Sequence, residues 1–331
     1  MNNNWLTTLG WQLTLACCIC LLGCGSPSRP IAHMWGVSAG NGNPLTILEY
    51  STASRNGALI GTLTLPSSFN AGPFTTDSSG HLYVGGLNSA NNAQILIYHS
   101  NSSGLASPSR TIDINYAYDS NTLAVGPTGV LYVGTVGGSG SAVAVYPAQA
   151  SGAAVPLRTL QLANSNDVLL DLATDAVGRI YTVRWPAYVT NNVASYIDVY
   201  SPDASGSAAP VRTITFSSLV FGVAVDAAGN VFANACVDVA SCTIEEFAAD
   251  ANGVASPVTV NFPAQATGMQ FWGGRVRFDR AGDLFASLGV RDPSTGAVTF
   301  FLYGFGPTAS GNAAPSVQIT EKTPLAEFAL D

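Results

Sequence analysis

The sequence predicts an all-β chain folded as a six-bladed β-propeller, with four antiparallel strands in each blade. Three observations predict it. A unit of about 50 residues repeats along the chain. Each unit holds four short apolar runs, and no stretch sustains a helical apolar face. The two ends of the chain look like complementary parts of one unit.

The repeat has two landmarks. The first is a glycine six residues after an aromatic: Tyr98 and Gly104, Tyr146 and Gly152, Tyr200 and Gly206, Phe247 and Gly253, Phe305 and Gly311. A proline comes four residues later, at Pro108, Pro156, Pro210, Pro257 and Pro315, and Tyr50 with Gly57 makes a degenerate sixth copy. The second landmark is the tight turn Asp-x-x-Gly at Asp77, Asp175, Asp226 and Asp279, with Gly126 to Gly129 as a variant. From Asp77 through Gly126, Asp175, Asp226 and Asp279 to Asp331 the steps are 49, 49, 51, 53 and 52 residues.

Within one unit the runs fall at 221–225, 230–235, 243–247 and 258–261, separated by glycine, proline, asparagine and serine. Four strands in about 50 residues is the arithmetic of a propeller blade. At the ends, residues 325–331 match an innermost strand up to its turn aspartate, and 31–37 match the strand just beyond that turn. The C-terminal strand, 325–331, is therefore expected to join N-terminal strands from 31–65 and close the ring without a free radial edge.

The run Phe-Gly-Val-Ala-Val-Asp-Ala-Ala-Gly-Asn-Val-Phe-Ala-Asn at 221–234 resembles the NHL repeat of six-bladed propellers, and weaker copies cover nearly all of 31–331. The resemblance implies a fold. It implies no single activity, since such propellers serve as lactonases, lyases and pure binding modules.

Before the repeats, residues 9–22 are uncharged and mostly apolar, too short to span a bilayer but of signal-peptide length. The run ends in Leu21-Leu22-Gly23-Cys24, which resembles the bacterial lipobox, although no lysine or arginine precedes the apolar stretch. That resemblance implies a signal peptide over 1–23, acylation of Cys24, a flexible tether over 24–30 and a single domain over 31–331. It places the protein in the bacterial cell envelope, anchored to a membrane by lipid. Gly25, where some inner-membrane lipoproteins carry aspartate, permits export to the outer membrane. Beyond Cys24, only Cys236 and Cys242 remain, separated by five residues on a predicted hairpin, and an exported compartment allows them to pair.

Composition narrows function by exclusion. Charged residues are 10% of the chain and the net charge is −8, which excludes a nucleic-acid binder. A content of 47% hydrophobic residues excludes a disordered chain. There is no phosphate-cradling glycine loop and no serine nucleophile elbow.

Antiparallel connectivity sorts the loops onto two faces. The Asp-x-x-Gly turns and the turns after each third strand share a regular face, where the aspartates hold turns. The other face takes the irregular segments 115–119, 164–167, 185–192, 263–274 and 291–295, rich in aromatic and amide side chains. Tyr116, Tyr118, Trp185 and Trp272 are its binding candidates, alternatively packing within the loops. On the innermost strands small residues are expected, so Asp171, Arg275, Arg277 and Glu327 stand out near the axial channel mouth. They form either a brace between blades or a site for a polar ligand. Histidine chemistry of the virginiamycin B lyase type is disfavoured, because His33, His81 and His99 map to the regular face. A gluconolactonase-like axial metal would draw on Asp171 and Glu327, with Arg275 and Arg277 opposing a cation.

The expectation is a monomeric binding or interaction module whose ligand is a small molecule, a glycan or an envelope protein, with no cofactor and no catalytic set. The alternative is a lactonase- or lyase-type enzyme with a divalent metal at the channel mouth.

Overall fold

Short β-branched and aromatic runs cut by turn formers cannot sustain a helix, and every regular element among the described residues is a strand. The computed structural model describes residues 33–38, 45–53, 55–114, 120–137, 140–162, 164, 167–186, 195–321 and 328–330. Cys24, the signal peptide and the tether lie outside them, as do Tyr116, Tyr118 and Glu327.

Blade 1 begins with β1 (His33–Ser38), β2 (Thr46–Ser51) and β3 (Ala58–Thr64). Blade 2 is β4 (Asn70–Thr76), β5 (Leu82–Leu87), β6 (Ala93–Tyr98) and β7 (Arg110–Asp113). Blade 3 is β8 (Ser120–Val125), β9 (Leu131–Gly137), β10 (Gly140–Tyr146) and β11 (Arg158–Gln161). Blade 4 is β12 (Val168–Thr174), β13 (Ile180–Trp185), β14 (Ser195–Tyr200) and β15 (Arg212–Phe216). Blade 5 is β16 (Leu219–Val225), β17 (Val231–Asp238), β18 (Ser241–Phe247) and β19 (Val258–Asn261). Blade 6 is β20 (Gln270–Phe278), β21 (Leu284–Arg291), β22 (Val298–Phe305) and β23 (Val317–Glu321). The last strand, β24 (Phe328–Leu330), returns to blade 1 and pairs with β1. Each blade is a four-stranded antiparallel sheet, and the ends close blade 1 as the sequence pattern anticipates.

The core lies between blades. Each apolar cluster joins two neighbours: Val143, Leu160, Leu172 and Tyr200 fill the junction of blades 3 and 4, and Val199, Phe216, Val223 and Phe247 that of blades 4 and 5.

The landmark glycines stitch these junctions at the rim. Gly206 donates its N–H to the Thr159 carbonyl at 2.7 Å and accepts from the Gln161 N–H at 2.7 Å, so the last turn of blade 4 is bonded to the outer strand of blade 3. Gly104, Gly152, Gly253 and Gly311 make the same pair of bonds to the blade before each of them. The geometry needs a left-handed backbone, φ 57° at Gly206. Nothing lies within 4 Å of a Cβ built there, so backbone conformation, and not crowding, demands glycine. The sixth junction uses other groups. Gln318 donates its N–H to the Arg55 carbonyl at 2.6 Å, and the Tyr50 hydroxyl donates to Glu321 at 2.5 Å.

On the regular face the turn aspartates are occupied. Asp175 accepts from the Val177 and Arg179 N–H groups at 3.1 and 2.9 Å and from the Tyr181 hydroxyl at 3.1 Å. Arg212 contacts the same hydroxyl at 3.4 Å and donates to the Ala251 carbonyl of blade 5. Asp77, Tyr83, Arg110 and the Ala148 carbonyl repeat the chain of contacts between blades 2 and 3.

Cys236 and Cys242 are opposed across the β17–β18 hairpin and form a disulfide. Both kinds of link can be tested by substitution. Gly206→Ala lowers stability by about 1–2 kcal/mol, read as a shift in denaturant midpoint at unchanged slope. Replacing both cysteines by serine costs about 2 kcal/mol by loop-closure entropy, measured against the oxidised parent.

Candidate functional site

At the axis the inner strands place small residues and a few charges close together. Gly222 lets blades 5 and 6 approach, since a Cβ there would lie 2.7 Å from the Gly274 carbonyl oxygen. Asp171, fully buried on β12, binds three other blades. Its Oδ1 accepts from the Thr122 hydroxyl of blade 3 at 3.1 Å, and its Oδ2 from the Val223 N–H of blade 5 at 2.9 Å. Arg277 of blade 6 reaches across the ring in a fork, at 2.9 Å to Oδ1 and 2.8 Å to Oδ2. Arg275 approaches Oδ1 at 3.1 Å and donates to the Leu170 carbonyl, which lies at a bulge in the β12–β13 ladder.

The fold brings Asp171, Arg275 and Arg277 together, and the geometry is that of a brace. Burial raises the Asp171 carboxyl, while the Arg275 and Arg277 charges and its hydrogen bonds lower it; the net direction is down. Both oxygens are engaged, so an axial cation would have to displace two guanidinium groups from the carboxylate.

Other predicted residues are spent on packing. The Trp185 indole N–H donates to the Val220 carbonyl at 2.6 Å, and its ring meets Phe221 edge-on at 5.1 Å. Trp272 lies over Gly289, where a Cβ would sit 2.2 Å from the indole, and meets Phe300 edge-on. Arg184, in the same region as Trp185, is held by Asp198 at 2.7 Å and by Asp167, and stacks over Tyr196. In the 291–295 segment, Asp292 caps its own turn through Ser294 and Thr295, whose hydrogen bonds bring its carboxyl down to about 2.

A cleft of about 480 Å³ opens on the irregular face between blades 5 and 6. Its origin is local. In blade 3 the outer ladder continues past Gln161 with a bond from the Leu162 N–H to the Ser141 carbonyl. At the matching place in blade 5 no such rung links Phe262 to Cys242, and Pro263 turns the chain away. The detour through 262–269 stands off from the β17–β18 hairpin and leaves the gap. The cleft is lined by Phe262 and Met269 of the detour, by Cys242 of the hairpin, and by Phe271 and Leu288 of blade 6. The hairpin tip is tied to blade 6 by the Phe271 N–H, which donates to the Val239 carbonyl at 2.6 Å.

Sequence reasoning named the 263–274 segment but chose Trp272 for binding. Phe271 and Trp272 alternate along β20, and Trp272 faces the space left by Gly289 while Phe271 lines the cleft. Met269, Phe262 and Gln265 were not singled out; the signal that pointed to them was the 53-residue step from Asp226 to Asp279, long for this repeat.

Compared with protein-family models and with curated protein sequences, the chain matches none. Among solved structures it is similar to a protein of unknown function from Bacteroides caccae, with a TM-score of 0.57 and 11% identity over 91% of this chain and 99% of that one. The WD40 domain of coronin from Toxoplasma gondii is also similar, at a TM-score of 0.44 and 11% identity, covering 86% of this chain and 81% of that one. The first likeness agrees with the blade topology: the chain is an all-β propeller.

Asp171→Asn is expected to cost about 3–5 kcal/mol, because the buried Arg275 and the half-buried Arg277 lose their counter-ion. The folded carboxyl titrates below its unfolded value of about 3.9. Its contribution is complete above that value and is lost as pH falls through the folded one. Stability–pH curves of parent and variant should thus converge only in acid; a constant difference down to the acid limb would contradict the assignment.

Proposed function

We propose that this propeller is a monomeric ligand-binding module of the bacterial cell envelope, tethered by a lipid on Cys24, and that its ligand occupies the cleft between blades 5 and 6. The carrying observation is the cleft itself: it opens where the repeat departs from regularity, and its volume lies within the roughly 300–1,000 Å³ usual for small-molecule sites. The regular face supports the same choice, because its recurring polar groups are used within and between blades. The lipobox-like Leu21-Leu22-Gly23-Cys24 supports the anchor, and the NHL-like run at 221–234 supports a scaffold that varies its loops. A metal-dependent lactonase or lyase at the axis gains no support from Asp171, whose oxygens are already shared among protein donors.

Two measurements test the reading. Cys24→Ser should move the protein from the membrane to the soluble fraction; unchanged fractionation would reject the lipid anchor. For the site, native mass spectrometry of protein purified from its own envelope should reveal a bound species. Ala266→Trp, which fills the cleft from an exposed loop position, should remove it, and Val155→Ser on the opposite face should retain it. Retention of the species by Ala266→Trp would place the ligand elsewhere.

A further inference from the structure

We infer that the cleft selects an uncharged, mainly apolar small molecule that presents at least one hydrogen-bond donor. The inference rests on the cleft as the binding site and adds the class of ligand.

Two observations carry it. No residue lining the cleft bears a formal charge, although the chain as a whole is acidic. An ion entering would exchange its hydration for neutral hydroxyls and amides and for Phe262, Met269, Phe271 and Leu288, with no counter-charge in the lining. The second observation is Gln265. Its amide nitrogen donates to the Pro263 carbonyl at 3.1 Å and to the Tyr303 hydroxyl at 3.0 Å. Since the Pro263 carbonyl can only accept, the nitrogen is fixed on that side. The amide oxygen has no protein partner among the described residues, which leaves an acceptor beside an apolar wall.

Tyr303 anchors this arrangement from beneath. It is fully buried, stacks on Phe301 and lies against Phe262, and burial pushes its hydroxyl up to about 12. It therefore stays neutral and adds no charge to the floor. A sugar, also neutral, presents hydroxyls along every edge; Ser241, Thr243, Asn261, Gln265 and Thr267 could pair some of them, and Phe262, Met269, Phe271 and Leu288 would face the rest. A compact hydrophobe with one N–H or O–H matches the site.

Two fluorescent probes differ by the charge in question. N-phenyl-1-naphthylamine is neutral and has one N–H; 8-anilinonaphthalene-1-sulfonate shares its rings and adds a sulfonate. Both are titrated against the soluble Cys24→Ser protein without detergent, in about 1 M salt, where a Debye length of about 3 Å screens the net charge. The neutral probe should bind saturably at one site, more tightly than the sulfonate by about tenfold or more. Met269→Lys, with thermal unfolding verified as cooperative, should reverse that preference by placing a cation on the wall, and Phe271→Ala should weaken the neutral probe.

Equal or tighter binding of the sulfonate by the parent protein would overturn the ligand class, as would failure of both probes to bind or displacement of the neutral probe by a neutral oligosaccharide. In each of these cases the envelope-derived species lost in Ala266→Trp would still stand for the site. Neutral-probe binding untouched by Met269→Lys and Phe271→Ala would overturn the inference by locating the probe elsewhere.

Discussion

One buried carboxylate coordinates the centre of this ring. A lone ionised aspartate in a dry interior is prohibitively costly, and Asp171 persists there because a hydroxyl, a backbone N–H and two guanidinium groups arrive from three other blades. Each of those blades is positioned by its own packing against its neighbours, so the carboxylate can be satisfied only when the ring is nearly assembled. The interaction is a weak source of net stability and a strong condition on geometry. A blade shifted along the axis would leave donors or acceptor unmatched.

That condition occupies the charges described at the centre. Arg275 and Arg277 are folded onto Asp171, and the rim stitches of the landmark glycines commit the outer turns of the regular face. Variation is left to the connections on the other face. Blade 5 uses that latitude most visibly. Its outer strand stops at Asn261, proline turns the chain, and the detour opens a cleft without disturbing the ladder beneath it.

The architecture was legible because a propeller writes its period into its turns. Gly206 and its counterparts need a left-handed backbone, and Asp175 with its counterparts caps a tight turn, so both recur wherever a blade recurs. Asp171, Arg275 and Arg277 were also legible as charges at positions that should be small. Their union was not, because blades 4 and 6 are not neighbours and no spacing in the chain encodes a reach across the axis. The aromatic residues were harder still. Trp185 and Trp272 read as ligand platforms from composition, yet the indole N–H of one meets a backbone carbonyl and the other covers a glycine on the adjacent strand. A large ring on an irregular face is as readily used to seal a junction as to hold a ligand, and only the register decides.

The disulfide gives the cleft its remaining property. A hairpin tip joined to the body by strand pairing alone would fray, and here the exposed Val237 and Val239 flank the mouth. Cys236–Cys242 closes the hairpin across its last regular pair, and the bond from Phe271 to Val239 fastens the tip to the neighbouring blade. The cleft wall is thus fixed on two sides before anything binds. A preformed wall would spare the proposed ligand the entropy of ordering it. The covalent link and the broken ladder rung then belong to one device: the rung's absence makes the space, and the disulfide keeps the space from collapsing.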